Sequence, residues 1–293
     1  MSNTHTISHL GGIVEALPTI FGFMPVESVV VLTTHGARNR MGFRMRLDLA
    51  DFTHDPTGAA QMLASHVRTH REPDGGVIVL VVTGSADQGT AAIDALADAL
   101  DCAIMAGGVA HGGIVRSWTT GETYDYTDPH TSIASTMAVA EGQRLMHTRE
   151  EIEASLMPQH TAAPVGQGPT DAHLALAALN ERCPLTDEAR VALTRSAAEQ
   201  GTRDELLTCA EMSHPGQHAA VWIKVARVAH RDDAGPVYAV AGYAAYLSGD
   251  GARALMLLET ALRLTPDHTL AQLVYATVNA GISPEQFRTI TNA

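Results

Sequence analysis

The chain has 293 residues, 19 of them basic and 32 acidic, for a formal charge of −13. Hydrophobic residues make up 45% and charged residues 17%, which excludes a disordered or fibrous chain. At this length folding hides about 75% of the extended surface, enough for two modest cores. The acidic balance argues against a general nucleic-acid binder, because phosphate contacts need a clustered basic surface.

The apolar run Val77 to Val82 is the most continuous in the chain and far short of the ~18 residues a membrane helix requires. No membrane partner is expected. The opening MSNTHTISHLGG has neither a basic nor an apolar signal region, so no secretory leader is read there. Three widely spaced cysteines, Cys102, Cys183 and Cys209, fit reduced thiols in a cytoplasm better than a disulfide framework. One lysine stands against eighteen arginines, as a GC-rich coding genome would produce.

In chain order, Ile7 to Leu17 is expected to be helical and to stop before Pro18, since a residue preceding proline is pushed out of the α region. Glu27 to Thr34 is a β-branched strand and HGARNR turns the chain. Met41, Phe43, Met45, Leu47 and Leu49 then alternate with Gly42, Arg44, Arg46 and Asp48, which predicts a strand with one buried face, paired to the first as a hairpin. Thr57 to Arg71, opened by Pro56, is helical. Val77 to Val82 reads as a central strand buried on both faces. Thr90 to Leu100 has helical spacing, and Ala103 to Ala110, Gly113 to Thr119 and Glu122 to Tyr126 are strand-like. Ile133 to Glu141 and Arg149 to Leu156 are helical. These elements make a mixed-sheet α/β domain over residues 1–158.

Residues 159–170, rich in proline and glycine, are expected to be a linker. Beyond it, over 171–293, the periodicity is helical throughout: Ala172–Leu179, Ala189–Ala197, Ala219–Val228, Val237–Leu247, Ala252–Leu262 and Leu270–Val278. Within this all-helical domain Gly242, Gly249, Ala254, Leu258, Ala261 and Pro266 fall at the offsets of a tetratricopeptide (TPR) helix–turn–helix unit. Gly242 and Ala254 would let two helices approach, Gly249 would turn the chain, and Pro266 would open a helix running from His268 to Ala280. One such unit reads as a hairpin capping a helical bundle rather than as a peptide-binding groove.

The residues that could carry chemistry are few. His66 and His70 stand four apart on a helix, as two metal ligands could, but Val67 replaces the glutamate of a metalloprotease and no third ligand suggests itself. His214 and His218 bracket Pro215 and Gly216, and Cys183 and Cys209 lack local partners that would activate a thiol. No catalytic residue, metal ligand or cofactor is assigned. Gly84 to Thr90 leads from the central strand into a helix, where free N–H groups favour anions. Its glycine spacing copies a P-loop, but the lysine is missing. An ordinary strand-to-helix connection and a weak phosphate or nucleotide site are both open, the latter using Gly84, Ser85, Gly89, Thr90 and Arg46. If ligand binds there, Gly89→Glu is expected to abolish binding and leave the thermal midpoint nearly unchanged.

Arg38, Arg40, Arg44 and Arg46 concentrate charge on the hairpin. Arg46 and Asp48 could pair internally, or the face could meet an anion or an acidic partner. Tyr124, Asp125, Tyr126, Asp128 and His130 are either a ligand cluster or a plain turn with a helix cap.

Leu17-Pro18 with Phe21-Gly22-Phe23-Met24-Pro25, Ser28-Val29-Val30-Val31 and Arg46-Leu47-Asp48-Leu49 together resemble an actinobacterial family known as domain of unknown function 4192. Trp118, Gly142, Arg149-Glu150-Glu151-Ile152, Arg203-Asp204 and the stretch from Leu247-Ser248-Gly249-Asp250-Gly251-Ala252 to Pro284 extend the likeness over nearly the whole chain. Many members of that family carry cysteines before a proline shortly after the tryptophan; Tyr124 to His130 has none here, so no thiol role is carried over. The resemblance implies an actinobacterial cell or a phage that infects one, and supplies no reaction. The expected function is a non-enzymatic protein-interaction or regulatory module with an unknown protein partner. The alternatives are a small-molecule or nucleotide-binding α/β protein with an anionic ligand, an enzyme included, and a phage or virion component.

Overall fold

The computed structural model of the chain describes residues 7–140, 145–166, 168–180, 185–212 and 215–291. Two units are distinguished, Met1–Glu151 and Ile152–Ala293. The fold is α/β, with a mixed sheet in the first and helices in the second.

The first unit runs α1 (Leu10–Phe21), β1 (Ser28–His35), β2 (Arg40–Asp48), α2 (Leu49–His54), α3 (Pro56–His70), β3 (Val77–Val82), α4 (Ala86–Ala99), β4 (Ile104–His111), β5 (Ile114–Ser117), β6 (Thr123–Asp125) and α5 (Ile133–Ala140). Its strands lie in the order β2-β1-β3-β4-β5-β6. Each neighbouring pair is antiparallel except β3 with β4, which run parallel because α4 carries the chain back between them. All six residues of β3 are buried, as an uninterrupted β-branched run requires. Val77, Val79 and Val81 pack with Leu63 and Val67 of α3 and Ile93 and Leu96 of α4. Ile78, Leu80 and Val82 pack with Leu10, Val14 and Leu17 of α1 on the other face. Each such side chain contributes roughly 1.5–3 kcal/mol by leaving water.

Four local expectations are corrected. Helix α1 does not stop before Pro18 but passes through it, ending at Gly22, whose φ of 81° suits a left-handed cap. Leu10, Val14, Leu17 and Ile20 form one buried stripe, and its burial outweighs the hydrogen bond that Pro18 cannot donate. In β2 the register shifts between Leu32 and Thr34. This bulge sets Met41 opposite Thr34 while Met45 and Leu47 stay opposite Val31 and Val29, so Met41 leaves the face that holds the other two. Helix α2 arises where no helix was expected, because Leu49 and Phe52 turn inward directly after the strand. Finally, α4 begins at Ala86, four residues ahead of Thr90, with Ser85 as N-cap.

Helix α6 (Arg149–Leu156) leads into the second unit, which continues α7 (Ala172–Asn180), α8 (Asp187–Ala198), α9 (Gln200–Met212), α10 (Pro215–Val228), α11 (Arg231–Leu247), α12 (Gly251–Leu264), α13 (Thr269–Asn279) and α14 (Pro284–Thr291). Helix α11 is central and buried without a break from Val237 to Leu247, packing against α8, α9, α10, α12 and α13. Its small residues set this closeness. At Gly242 an added Cβ would stand 2.6 Å from Leu258 Cγ of α12. Gly249 turns the chain at φ 82°, and Asp250 caps α12 by accepting from the Arg253 N–H at 3.1 Å. Tyr238 donates to the Leu156 carbonyl at 2.8 Å, and burial pushes its phenol well above the usual range.

The proline-rich stretch before α7 is fastened along this unit. The N–H groups of Gln159 and His160 donate to Arg227 O at 2.6 and 3.1 Å, and that of Ala162 to Val228 O at 2.8 Å. Arg195 of α8 then donates to Val165 O at 2.6 Å.

Candidate functional site

One end of the sheet gathers polar residues from four strands. The register brings Asp48 at the end of β2 opposite Ser28 at the start of β1, and Ser28 opposite Val82 near the end of β3. Val82 in turn faces Ala110, just before His111. In open α/β sheets, the strand end where connections diverge is where ligands are held.

Gly84-Ser85 is all that remains of the expected loop, since Ala86 to Thr90 lie within the start of α4. The Glu27 carboxylate fills the turn: it accepts from the Gly84 N–H at 2.6 Å and from the Thr83 hydroxyl at 3.0 Å. Thr83 Oγ1 accepts from the Ser85 N–H at 3.0 Å, so the orphan donors at this helix start are partly answered by the chain itself. Glu27 pays for the position with a φ of 44°, a left-handed conformation uncommon outside glycine. His111 Nδ1 lies 3.1 Å from the Thr83 carbonyl, which can only accept. The neutral ring is thereby held as the Nδ1–H tautomer, with Nε2 left as an acceptor.

The sequence-derived residues are only partly brought together. Gly84, Ser85 and Thr90 surround the start of α4, with the Thr90 hydroxyl donating to Ala86 O at 3.0 Å. Gly89 is buried, and a Cβ there would stand 2.6 Å from Val109 Cγ1, so its smallness serves helix-to-strand packing. The expectation that Gly89→Glu leaves stability unchanged is therefore corrected. Arg46 projects on the α1 side of β2. Its Nε donates to Ser28 Oγ at 3.1 Å, its guanidinium pairs with Asp48, and it lies 5.7 Å from the Phe23 ring centroid. Glu27, Thr83 and His111 were not singled out by sequence reasoning. A carboxylate at the head of a buried strand was the one signal that could have found Glu27.

Of the Tyr124–His130 cluster, Tyr124 and Asp125 belong to β6, and the chain turns after Asp128. The Asp128 side chain accepts from the His130 N–H at 3.0 Å, and Ser132 Oγ caps α5 by accepting from the Ser135 N–H at 3.1 Å. Tyr124 donates to Glu122 at 2.6 Å, which raises its phenol above its ordinary value. His66 and His70 stack with Phe43 at centroid distances of 6.3 and 4.3 Å, and their own rings lie nearly parallel at 13° rather than converging on a point. Among the described residues no group of three or more His, Cys, Asp or Glu could hold a metal ion. Nor is any helix there long and apolar enough to cross a membrane. Gly142, Cys183 and His214 lie outside the described residues, as does the side chain of Cys209.

The profile of the family described as Domain of unknown function (DUF4192) matches residues 11–180 and 165–285. The chain belongs to that family. No curated protein and no solved structure matches it. Both matched segments include residues 165–180, so the DUF4192 likeness runs through the sheet unit, the strap before α7 and the helices as far as α14.

Proposed function

We propose that the protein is a non-enzymatic interaction or regulatory module whose helical unit receives a partner protein. The observation that carries this reading is the α11–α12 hairpin, in which Gly242 lets Leu258 and the Ala254 carbonyl close against the helix axis. With Gly249, Ala261 and Pro266, these residues keep the spacing of a TPR-like unit, an element whose stacked helices offer faces to other chains. The likeness to actinobacterial sequences favours such a cell or its phage as the source. The free thiol of Cys102 fits a cytoplasmic setting. Native mass spectrometry of tagged protein drawn gently from an actinobacterial lysate tests the reading. A protein-sized addition that disappears on truncation after Pro158 is expected; a small-molecule adduct alone would overturn it, and a bare chain would count against it.

A second reading, an anion or nucleotide site at Gly84, Ser85, Thr90 and Arg46 beside the packed Gly89, is favoured by one observation. The Gly84 N–H already receives a carboxylate, that of Glu27, in a strained conformation. An incoming phosphate would displace Glu27, so Glu27→Gln should tighten binding of inorganic phosphate or ATP in calorimetry. Failure of both proteins to bind either probe removes this reading. A virion role, the remaining alternative, predicts the chain in purified phage particles.

A further inference from the structure

Between Glu27 and Asp48 the chain carries no acidic residue and four arginines, Arg38, Arg40, Arg44 and Arg46, against a whole-chain charge of −13. The β1–β2 hairpin folds this stretch into one feature. At its tip, Gly36 and Asn39 take positive φ values of 68° and 45°, and His35, Arg38 and Arg40 line an open concavity of about 260 Å³. Arg38 and Arg40 are exposed, and among the described residues their side chains make no hydrogen bond or ion pair.

The strand behind this tip ends the sheet. β2 has nine residues and among the described residues pairs on one side only, with β1, whereas the opposite edge, β6, has three. An edge strand directs alternate N–H and C=O groups outward, a ready template for another extended chain. Arginines on such an edge repel a second copy of themselves, so the same strand from another molecule is disfavoured by like charge. They attract an acidic strand. A long polyanion such as a nucleic acid would also feel the acidic remainder of the molecule, while a short acidic segment meets only the local field within a Debye length of about 8–10 Å.

We propose that the β2 edge and the β1–β2 tip form a docking surface for an extended acidic segment of a partner protein, taken up by strand addition. The peptide backbone continues the sheet beyond β2, and its carboxylates meet Arg38 and Arg40 at the tip. This surface lies within the first unit and does not depend on the helical reading above.

The test uses the full chain and an acetylated eight-residue peptide of alternating Glu and Thr, with a Lys–Thr peptide as control. Anisotropy titration should give saturable binding of the acidic peptide, weakening with salt, and hydrogen exchange should slow within residues 40–48. Arg38→Glu with Arg40→Glu should reduce affinity at least tenfold with an unchanged thermal midpoint. Absence of binding at millimolar peptide, equal binding of the Lys–Thr control, or binding without protection of 40–48 each overturns the proposal. Tighter binding of an oligothymidine, or a dimer formed through β2, does so too, in favour of a nucleic acid or a second copy.

Discussion

A methyl group placed on Gly89 would meet Val109 Cγ1 at 2.6 Å and Thr83 Cγ2 at 3.1 Å, and one on Gly242 would meet Leu258 Cγ at 2.6 Å. All three neighbours are buried, so Gly89→Ala and Gly242→Ala should each cost about 1–3 kcal/mol in urea denaturation. For Gly242 the cost has a named partner: Leu258→Ala should be less damaging in the Gly242→Ala background than alone, and strict additivity would contradict the contact. Glu27→Ala removes the acceptor for two donors in the turn ahead of α4 and should cost about 1 kcal/mol, as a lost charge-assisted hydrogen bond does. The histidines set a pH dependence. Burial lowers His66, His130 and His268 from 6.5, assisted by the charges of His70, His147 and Arg203 respectively, while Asp128 and Glu151 oppose the shift at His130. The unfolded chain therefore takes up protons first. Stability from these groups is whole above about pH 6.5 and falls as the pH drops from there toward their lower folded values. The urea midpoint should decline between about pH 7 and 5, and His130→Gln should flatten the decline; an unchanged slope would count against burial at that ring.

Elements with strong periodicity were legible in the sequence. The all-apolar β3, the α3 helix behind Pro56, the β1–β2 hairpin and the helical second half follow from patterns of two and of 3.6. What escaped depends on tertiary contacts. Helix α9 opens with the polar run Gln200-Gly201-Thr202-Arg203, and α14 is a polar helix of eight residues, so neither offers a long apolar stripe. The bulge in β2 leaves no trace in alternation, because Met41 is as apolar as Met45 although it faces the other way. At the strand end, Gly84 and Ser85 were legible as a turn, while Glu27 comes to it from 57 positions away, beyond any local pattern. The first part of the stretch expected as a linker, residues 159–170, makes backbone hydrogen bonds to the end of α10, which composition does not reveal. Arg195→Ala removes donors to Val165 O and Pro169 O, at 2.6 and 3.3 Å, and should let proteinase K cut between His160 and Gly168 at concentrations that spare the parent chain.

At the scale of the whole molecule, among the described residues the two core clusters on the faces of the first unit's sheet draw on none later than Ala134. A fragment ending at Pro158 should consequently unfold in one cooperative step with the near-ultraviolet signal of Trp118, whose Nε1 donates to Asp94 at 2.7 Å. A broad, non-cooperative melt would mean that the sheet leans on later residues. The order β2-β1-β3-β4-β5-β6 bears on how such a chain comes into being. Every strand after the first lies beside one already made, so nothing in the sheet must wait for a distant segment still to be translated. On a ribosome adding about 5–20 residues per second, the hairpin can close first and the later strands can join in turn on the β1 side. The outer rim of β2 is then the oldest surface of the sheet, exposed from the first moment of assembly and left uncovered by every strand added later.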